Sequence, residues 1–258
     1  MQGFGRLGAI TMERDPAVAR VKGDMGPPNG EVKLGDVDAS GKGGGAIFIR
    51  GGQWVSRGGR VFADTYGSQN GRGVDVAVNG EMRLENGAWL GADTGGNGRT
   101  GEIKILVDQL QVMNGSQIHS GTLAQGKAGG VTVQAEGITI DGQGSTLSTG
   151  LASLAEKGST GDAGTVSVAA SGALKVLNGG QIISGTSAQG KAGGVIAQAG
   201  DITIDGQSST KFTGLTSLAT PGSTGDAGTV SVTANNALKI LNGGAIGRIG
   251  SIALGNSQ

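Results

Sequence analysis

GKAGGVTVQAEGITIDGQ, from Gly126 to Gln143, returns 64 residues later as GKAGGVIAQAGDITIDGQ, from Gly190 to Gln207. Both copies continue alike, as STGDAGTVSVAASGALKVLNGGQI from Ser159 and STGDAGTVSVTANNALKILNGGAI from Ser223. Each 64-residue unit is itself two shorter repeats, one opening on GKAGG and the other on GDAGT. A fixed internal period outranks every other signal, because it makes the chain a stack of equivalent units.

Working outward, seven repeats open at Gly41, Gly71, Gly98, Gly126, Gly161, Gly190 and Gly225, spaced by 30, 27, 28, 35, 29 and 35 residues. Three extended runs recur in each. The first alternates apolar and polar residues, as in Ile103/Ile105/Val107 and Val166/Val168. The second does so again, as in Ile138/Ile140 and Leu174/Val176, and a weaker third follows, as in Ile118/Ser120/Thr122. Period-two alternation bounded by Gly and Asn-Gly reads as strand. Glycine at this density opposes helix. One three-strand coil cannot bury its inward residues, whereas stacked coils bury them in layers spaced by about 4.8 Å. The expected fold is all-β: a right-handed parallel β-helix, a solenoid of about seven three-strand coils, roughly 33 Å long. Residues 31–258 form its repeats, and residues 1–30, with Pro16, Pro27 and Pro28, form irregular or divergent coils or a cap.

Two ladders follow from the spacing. Asn86, Asn114, Asn178 and Asn242 each precede Gly at a corner, and Asp141 and Asp205 stand near that corner in coils four and six, one residue out of step. Asn and Asp suit a tight corner because they tolerate left-handed backbone and hydrogen-bond it locally. Eight residues beyond lie Thr94, Thr122, Thr149, Thr186 and Thr213, a strand threonine ladder. The constant offset assigns the extra length of the 35-residue coils to loops after the third strand, at Ser153–Thr160 and Ser217–Thr224.

Composition removes several functions. There are 55 glycines, 3% aromatics, no cysteine, and 20 basic against 20 acidic residues. With no cysteine there is no disulfide, Cys–zinc site or thiol catalysis. No Lys/Arg stripe suits nucleic acid. No apolar run approaches the roughly 18 residues of a membrane helix. MQGFGRLGAITMERD has no apolar core of a secretory signal, so an exported protein would carry one elsewhere. No catalytic, cofactor-binding or metal-binding residues are assigned.

His119 is the lone histidine, and alternation turns it to solvent between Ile118 and Ser120. The acids Asp64, Asp75, Asp93, Asp108, Glu136, Asp141, Asp162, Asp201, Asp205 and Asp226 fall at different points of the coil, which argues against paired carboxylates. Lys42, Lys127 and Lys191 read as solvated corners. Trp54, Trp89 and Phe212 are the candidate surface contacts. For the tryptophans, as for Phe62 and Tyr66, filling a wider core near one end is the commoner role. Leu147-Ser148 in one unit becomes Lys211-Phe212 in the other, either a local register slip or an exposed apolar spot at Phe212.

VDASGKGGGAIFIRGGQW, GEMRLENGAWLGADT, DQLQVMNGSQIHSGTLAQGKAGGVTV and ALKVLNGGQIISGTSAQGKAGG resemble the repeat region of filamentous-haemagglutinin-type exoproteins of bacterial two-partner secretion, cyanobacterial examples above all. The resemblance covers about Glu31 to Gln258. It implies a right-handed parallel β-helix, export through an outer-membrane β-barrel transporter, and a secreted or cell-surface adhesin that meets a glycan or protein on a host or neighbouring cell. It carries over no catalytic residue. The family's amino-terminal secretion motifs are not found here. The expected function is structural and adhesive, not enzymatic. The alternatives are a carbohydrate-active β-helix enzyme and a carbohydrate-binding module using Trp54 and Trp89. The pattern fails after Ile246, so fraying or association is expected at Ala245–Gln258.

Overall fold

The computed structural model describes residues 2–5, 8–13, 30–207 and 209–250. Glu31–Val32 (β3) and Val37–Asp38 (β4) begin a partial coil. Seven fuller coils follow. The first holds Ala46–Gly51 (β5), Gln53–Arg57 (β6) and Arg60–Phe62 (β7); the second Gly73–Glu85 (β8) and Trp89–Thr94 (β9); the third Ile103–Met113 (β10) and Gln117–Thr122 (β11). The fourth holds Val131–Ala135 (β12), Gly137–Asp141 (β13) and Thr149–Ala155 (β14). The last three hold Val166–Leu177 (β15) and Gly180–Thr186 (β16), Val195–Asp205 (β17) and Thr213–Ala219 (β18), and Val230–Leu241 (β19) and Gly244–Ile249 (β20). Pairing between these coils is parallel throughout. Gln2–Gly5 (β1) and Gly8–Glu13 (β2) form an antiparallel hairpin, and β2 pairs antiparallel with β5 at the first coil. Residues 14–29, which hold Pro16, Pro27 and Pro28, lie outside the described residues.

The solenoid follows from apolar residues landing on apolar residues one coil away. Ile47, Val74, Ile103, Val131, Val166 and Val195 occupy one inner rung, each almost wholly buried. Trp54, Met82, Leu110, Ile138, Leu174 and Ile202 occupy a second, and Val61, Leu90, Ile118, Leu151, Ile182 and Leu215 a third. Each such side chain is worth about 1.5–3 kcal/mol on burial.

Coil geometry differs from expectation in one respect. In five coils the first two runs are a single bent strand, not two strands joined by a turn. The register shifts at Val107/Gln109, Ala170/Ala173 and Ala199/Asp201 mark bulges at the bend. A bulge turns a strand while keeping most of its ladder, so hydrogen bonding continues around this corner.

The extra length of coil four also lies elsewhere. Asp141 pairs with Leu177 and Thr149 with Gly180, so eight steps of coil four match three of coil five. Five extra residues therefore sit at the corner before the third strand, within 142–148. Ser153 and Ser217 are not loop residues. They lie inside β14 and β18 and are fully buried. Only the short spans 156–160 and 220–224 leave the strands afterwards.

This relocation divides the threonine ladder. Thr65, Thr94 and Thr122 stack at the end of the third strand, and the position continues as Ala155, Thr186 and Ala219. Thr149 and Thr213 belong to the opposite end, where their hydroxyls accept the amides of Gly115 and Gly179. The offset of eight was a coincidence of loop length. At the asparagine corner, Asn86, Asn114, Asn178 and Asn242 are left-handed, with φ of 58°, 46°, 48° and 47°. In coils four and six Gln143 and Gln207 take that conformation instead. Asp141 and Asp205 stay at the strand ends and accept the Gln143 and Gln207 amides through Oδ1.

Two glycine files run along the opposite turns. A Cβ on Gly126, Gly161, Gly190 or Gly225 would stand 1.9–2.1 Å from the carbonyl oxygen of the matching glycine one coil earlier. The same holds for Gly129, Gly164, Gly193 and Gly228 at 2.1–2.2 Å. The G-x-x-G spacing of GKAGG and GDAG is thus a requirement of backbone packed on backbone. Inside this turn runs a file of buried serines. Ser120, Ser153, Ser184 and Ser217 accept the amides of Gly129, Gly164, Gly193 and Gly228. The last three donate to the carbonyls of Gly129, Gly164 and Gly193.

Candidate functional site: the acidic and aromatic face of the early coils

The third strands form an eight-stranded sheet, β20-β18-β16-β14-β11-β9-β7-β4. Its outward residues differ from coil to coil, and near β4 they gather polar and aromatic groups. Asp38, Phe62, Gly91 and His119 occupy one outward file. Arg60, Trp89 and Gln117 occupy the next. Asp64 and Asp93 stack directly, since the Thr65 and Thr94 that follow them are bridged.

Two glycines shape this face. Gly91 leaves room for the Trp89 indole, whose Nε1 would lie 2.3 Å from a Cβ there, and Gly121 leaves room for His119, whose Cε1 would lie 2.8 Å away. The two rings pack with centroids 4.9 Å apart. His119 is thereby only 5% exposed, although alternation does turn it outward. Its expected solvent exposure is corrected: the sheet face is right, but ring packing covers it.

His119 Nδ1 lies 3.0 Å from Asp93 Oδ1. A carboxylate only accepts, so Nδ1 carries the hydrogen. This leaves His119 Nε2 without a partner among the described residues. The Asp93 amide donates to Asp64 Oδ1 at 2.9 Å, and the Tyr66 hydroxyl lies 3.4 Å from Asp64 Oδ2. Burial pushes the Asp64 carboxyl above its ordinary value. The Asp93 amide opposes the shift, and the charges of Asp93 and Asp38 add to it. The Arg60 guanidinium sits 4.9 Å from the Phe62 ring centre.

Asp38, Ser40, Arg60, Phe62, Asp64, Tyr66, Trp89 and Asp93 line a shallow cleft of about 360 Å³. That falls within the roughly 300–1,000 Å³ of small-molecule sites. Four of the ten acids are therefore neighbours in pairs. Asp64 and Asp93 are neighbours here, and Asp108 and Glu136 are neighbours at the bulge, where the Glu136 amide donates to the Asp108 carbonyl. Sequence reasoning missed both pairs because coils of unequal length conceal the register. Asp162 also has a partner: its carboxylate pairs with Lys127 at 2.8 Å and accepts the Lys191 amide. Lys127 is thus an ion-pairing corner residue.

The three expected surface contacts separate. Trp54 is fully buried in the core and is no contact. Trp89 borders the cleft, half-buried. Phe212 lies at the far corner, half-buried, its carbonyl accepting Gln181 Nε2. The strand after it keeps its register, so neither a slip nor a fully exposed ring describes it. Leu147, its counterpart region in coil four, is the exposed apolar residue, and Lys211 Nζ donates to the carbonyls of Thr146 and Leu147.

Among the described residues no group of three or more His, Asp or Glu is placed to hold a metal. Nor, among the described residues, is any helix long and apolar enough to cross a membrane. Comparison with protein-family models, curated proteins and solved structures found no match to this chain.

Proposed function

We propose that this chain is a structural segment of a large secreted or surface-exposed adhesin of the filamentous-haemagglutinin type, carried out through an outer-membrane β-barrel transporter and serving cell adhesion or aggregation. The observation that carries the reading is the uninterrupted parallel stack. Glycine files fix the backbone spacing, buried serines tie turn to strand, and outward residues are left free to vary. Such a stack is a stiff spacer that holds side chains and corner loops away from a surface. The repeat patterns shared with that family add support from the sequence.

The test is attachment. Beads coated with the chain should bind target cells above the level of beads coated with an unrelated β-solenoid, and deleting the segment from the cells that make it should lower attachment or aggregation. Equal attachment in both comparisons overturns the reading.

A second reading draws on one observation, the Asp64–Asp93 stack beside His119. Paired carboxylates are what glycoside hydrolysis uses. Release of reducing ends from neutral polysaccharides, lost in Asp93→Asn, would favour that enzyme class.

A further inference from the structure

We infer that the cleft between Arg60, Asp64, Tyr66, Trp89 and Asp93 is a binding site for one uncharged pyranose ring of a glycan. The inference names the ligand class of the cleft. It rests on the adhesin reading only for its setting, since the site is argued from its own geometry.

Three observations converge. The first is the mixture of groups. A sugar presents an apolar C–H face and a rim of hydroxyls. The cleft sets aromatic rings beside fixed acceptors. Tyr66 is 60% exposed, far more than a packing role requires, and it stands next to Asp64. Carboxylates accept hydroxyl hydrogens through bonds stronger than neutral ones.

The second is preorganisation. Asp93 is held by His119 and by its own strand, and Asp64 by the Asp93 amide. Trp89 is held in the gap over Gly91 and against the His119 ring. Acceptors fixed before the ligand arrives reduce the ordering cost of binding.

The third is charge. Asp38, Asp64 and Asp93 outnumber Arg60 among the cleft residues. Uronates, sialic acids and sulfated sugars would meet carboxylates and be repelled. The other strong candidate faces carry less of this. The groove at the bulge has acids and amides without a ring, and the cleft beside Arg72 and Arg99 is polar without a ring stack.

The experiment uses the whole chain. Neutral oligosaccharides of glucose, mannose and galactose would be titrated by calorimetry and by saturation-transfer NMR, with oligogalacturonate as the acidic probe. The expected result is saturable binding of at least one neutral probe and none of the acidic one. Tyr66→Ala and Asp64→Asn should each weaken binding about tenfold, in keeping with the loss of a hydrogen bond to a charged group for the latter. Unchanged thermal unfolding for Tyr66→Ala would show that the fold survives. Failure of every neutral probe, preference for the acidic probe, or binding untouched by both substitutions overturns the inference. Each of these outcomes leaves the attachment test of the adhesin reading independent, because another face could make the cell contact.

Discussion

The hydroxyl of Ser184 accepts the amide of Gly193 at 2.8 Å and donates to the carbonyl of Gly164 at 2.9 Å. One buried side chain thus joins a sheet strand to the turns of two successive coils. Ser184→Ala would leave a buried amide and a buried carbonyl unpaired. The expected cost is about 1–3 kcal/mol, read by denaturant unfolding. Ser187→Ala, whose hydroxyl makes only a long 3.4 Å bond, should cost less than about 0.5 kcal/mol. Equal costs for the two would contradict the ladder's role.

Glycine is needed in the turns for space. Gly161→Ala would drive its methyl into the backbone of the preceding coil, 2.0 Å from the Gly126 carbonyl oxygen and 2.8 Å from that of Gln125. A destabilisation of about 3 kcal/mol is expected. Gly41→Ala meets nothing within 4 Å and should change stability by less than about 0.5 kcal/mol. Melting curves of the two variants make the comparison directly.

Asp64 gives a signed pH effect. Its folded-state carboxyl titrates above the ordinary value, so the folded chain holds the proton more tightly than the unfolded chain. The linked stability is present below the ordinary carboxylate range and is lost as pH rises through the raised value. Asp64→Asn keeps an oxygen for the Asp93 amide and removes the charge. The variant should gain on the parent protein between about pH 3.5 and pH 7. Parallel unfolding curves at the two ends check it; a constant difference between the two proteins would refute it.

Asp162 has the opposite sign. Lys127 first, and then the Lys191 amide, hold its carboxyl below the ordinary value. This contribution is present above the ordinary carboxylate range and disappears as pH falls through the lowered value. Lys127 is 65% exposed, so Lys127→Ala should cost at most about 1 kcal/mol, and less in high salt. Unfolding at neutral pH in low and high salt measures both points.

Much of the fold was legible because stacking makes each coil repeat the same sentence. Alternation at Ile103, Ile105 and Leu110 places them inside, and there they lie. What sequence could not supply was the alignment of coils with unequal corners. Thr149 shares Thr122's offset from the corner yet lies at the other end of its strand, because seven residues, 142–148, form a loop before it. The same blindness hid Asp64 beneath Asp93. His119 failed for another reason. Its direction was readable, but its burial depends on Trp89 folding over Gly91 one coil away. Trp54 was legible only as either core or surface, and its rung with Met82 and Leu110 decides for the core. At the far end, Leu238 and Ile240 continue inner rungs yet are 47% and 45% exposed, since no described coil covers them. Of the Ala245–Gln258 span expected to fray or associate, Ala245–Ile249 continue β20, paired parallel with β18, and residues 251–258 lie outside the described residues.

The Lys211 ammonium reaches back across an intervening coil to the loop that holds Thr146 and Leu147. Under tension along the axis, that reach matters. A plain stack would yield one coil at a time from whichever end is pulled. Here coil six cannot separate from coil five without also straining its tether to coil four. Coils four to six would then resist together, and the extra resistance at coil six in a force-extension trace should be lost in Lys211→Ala.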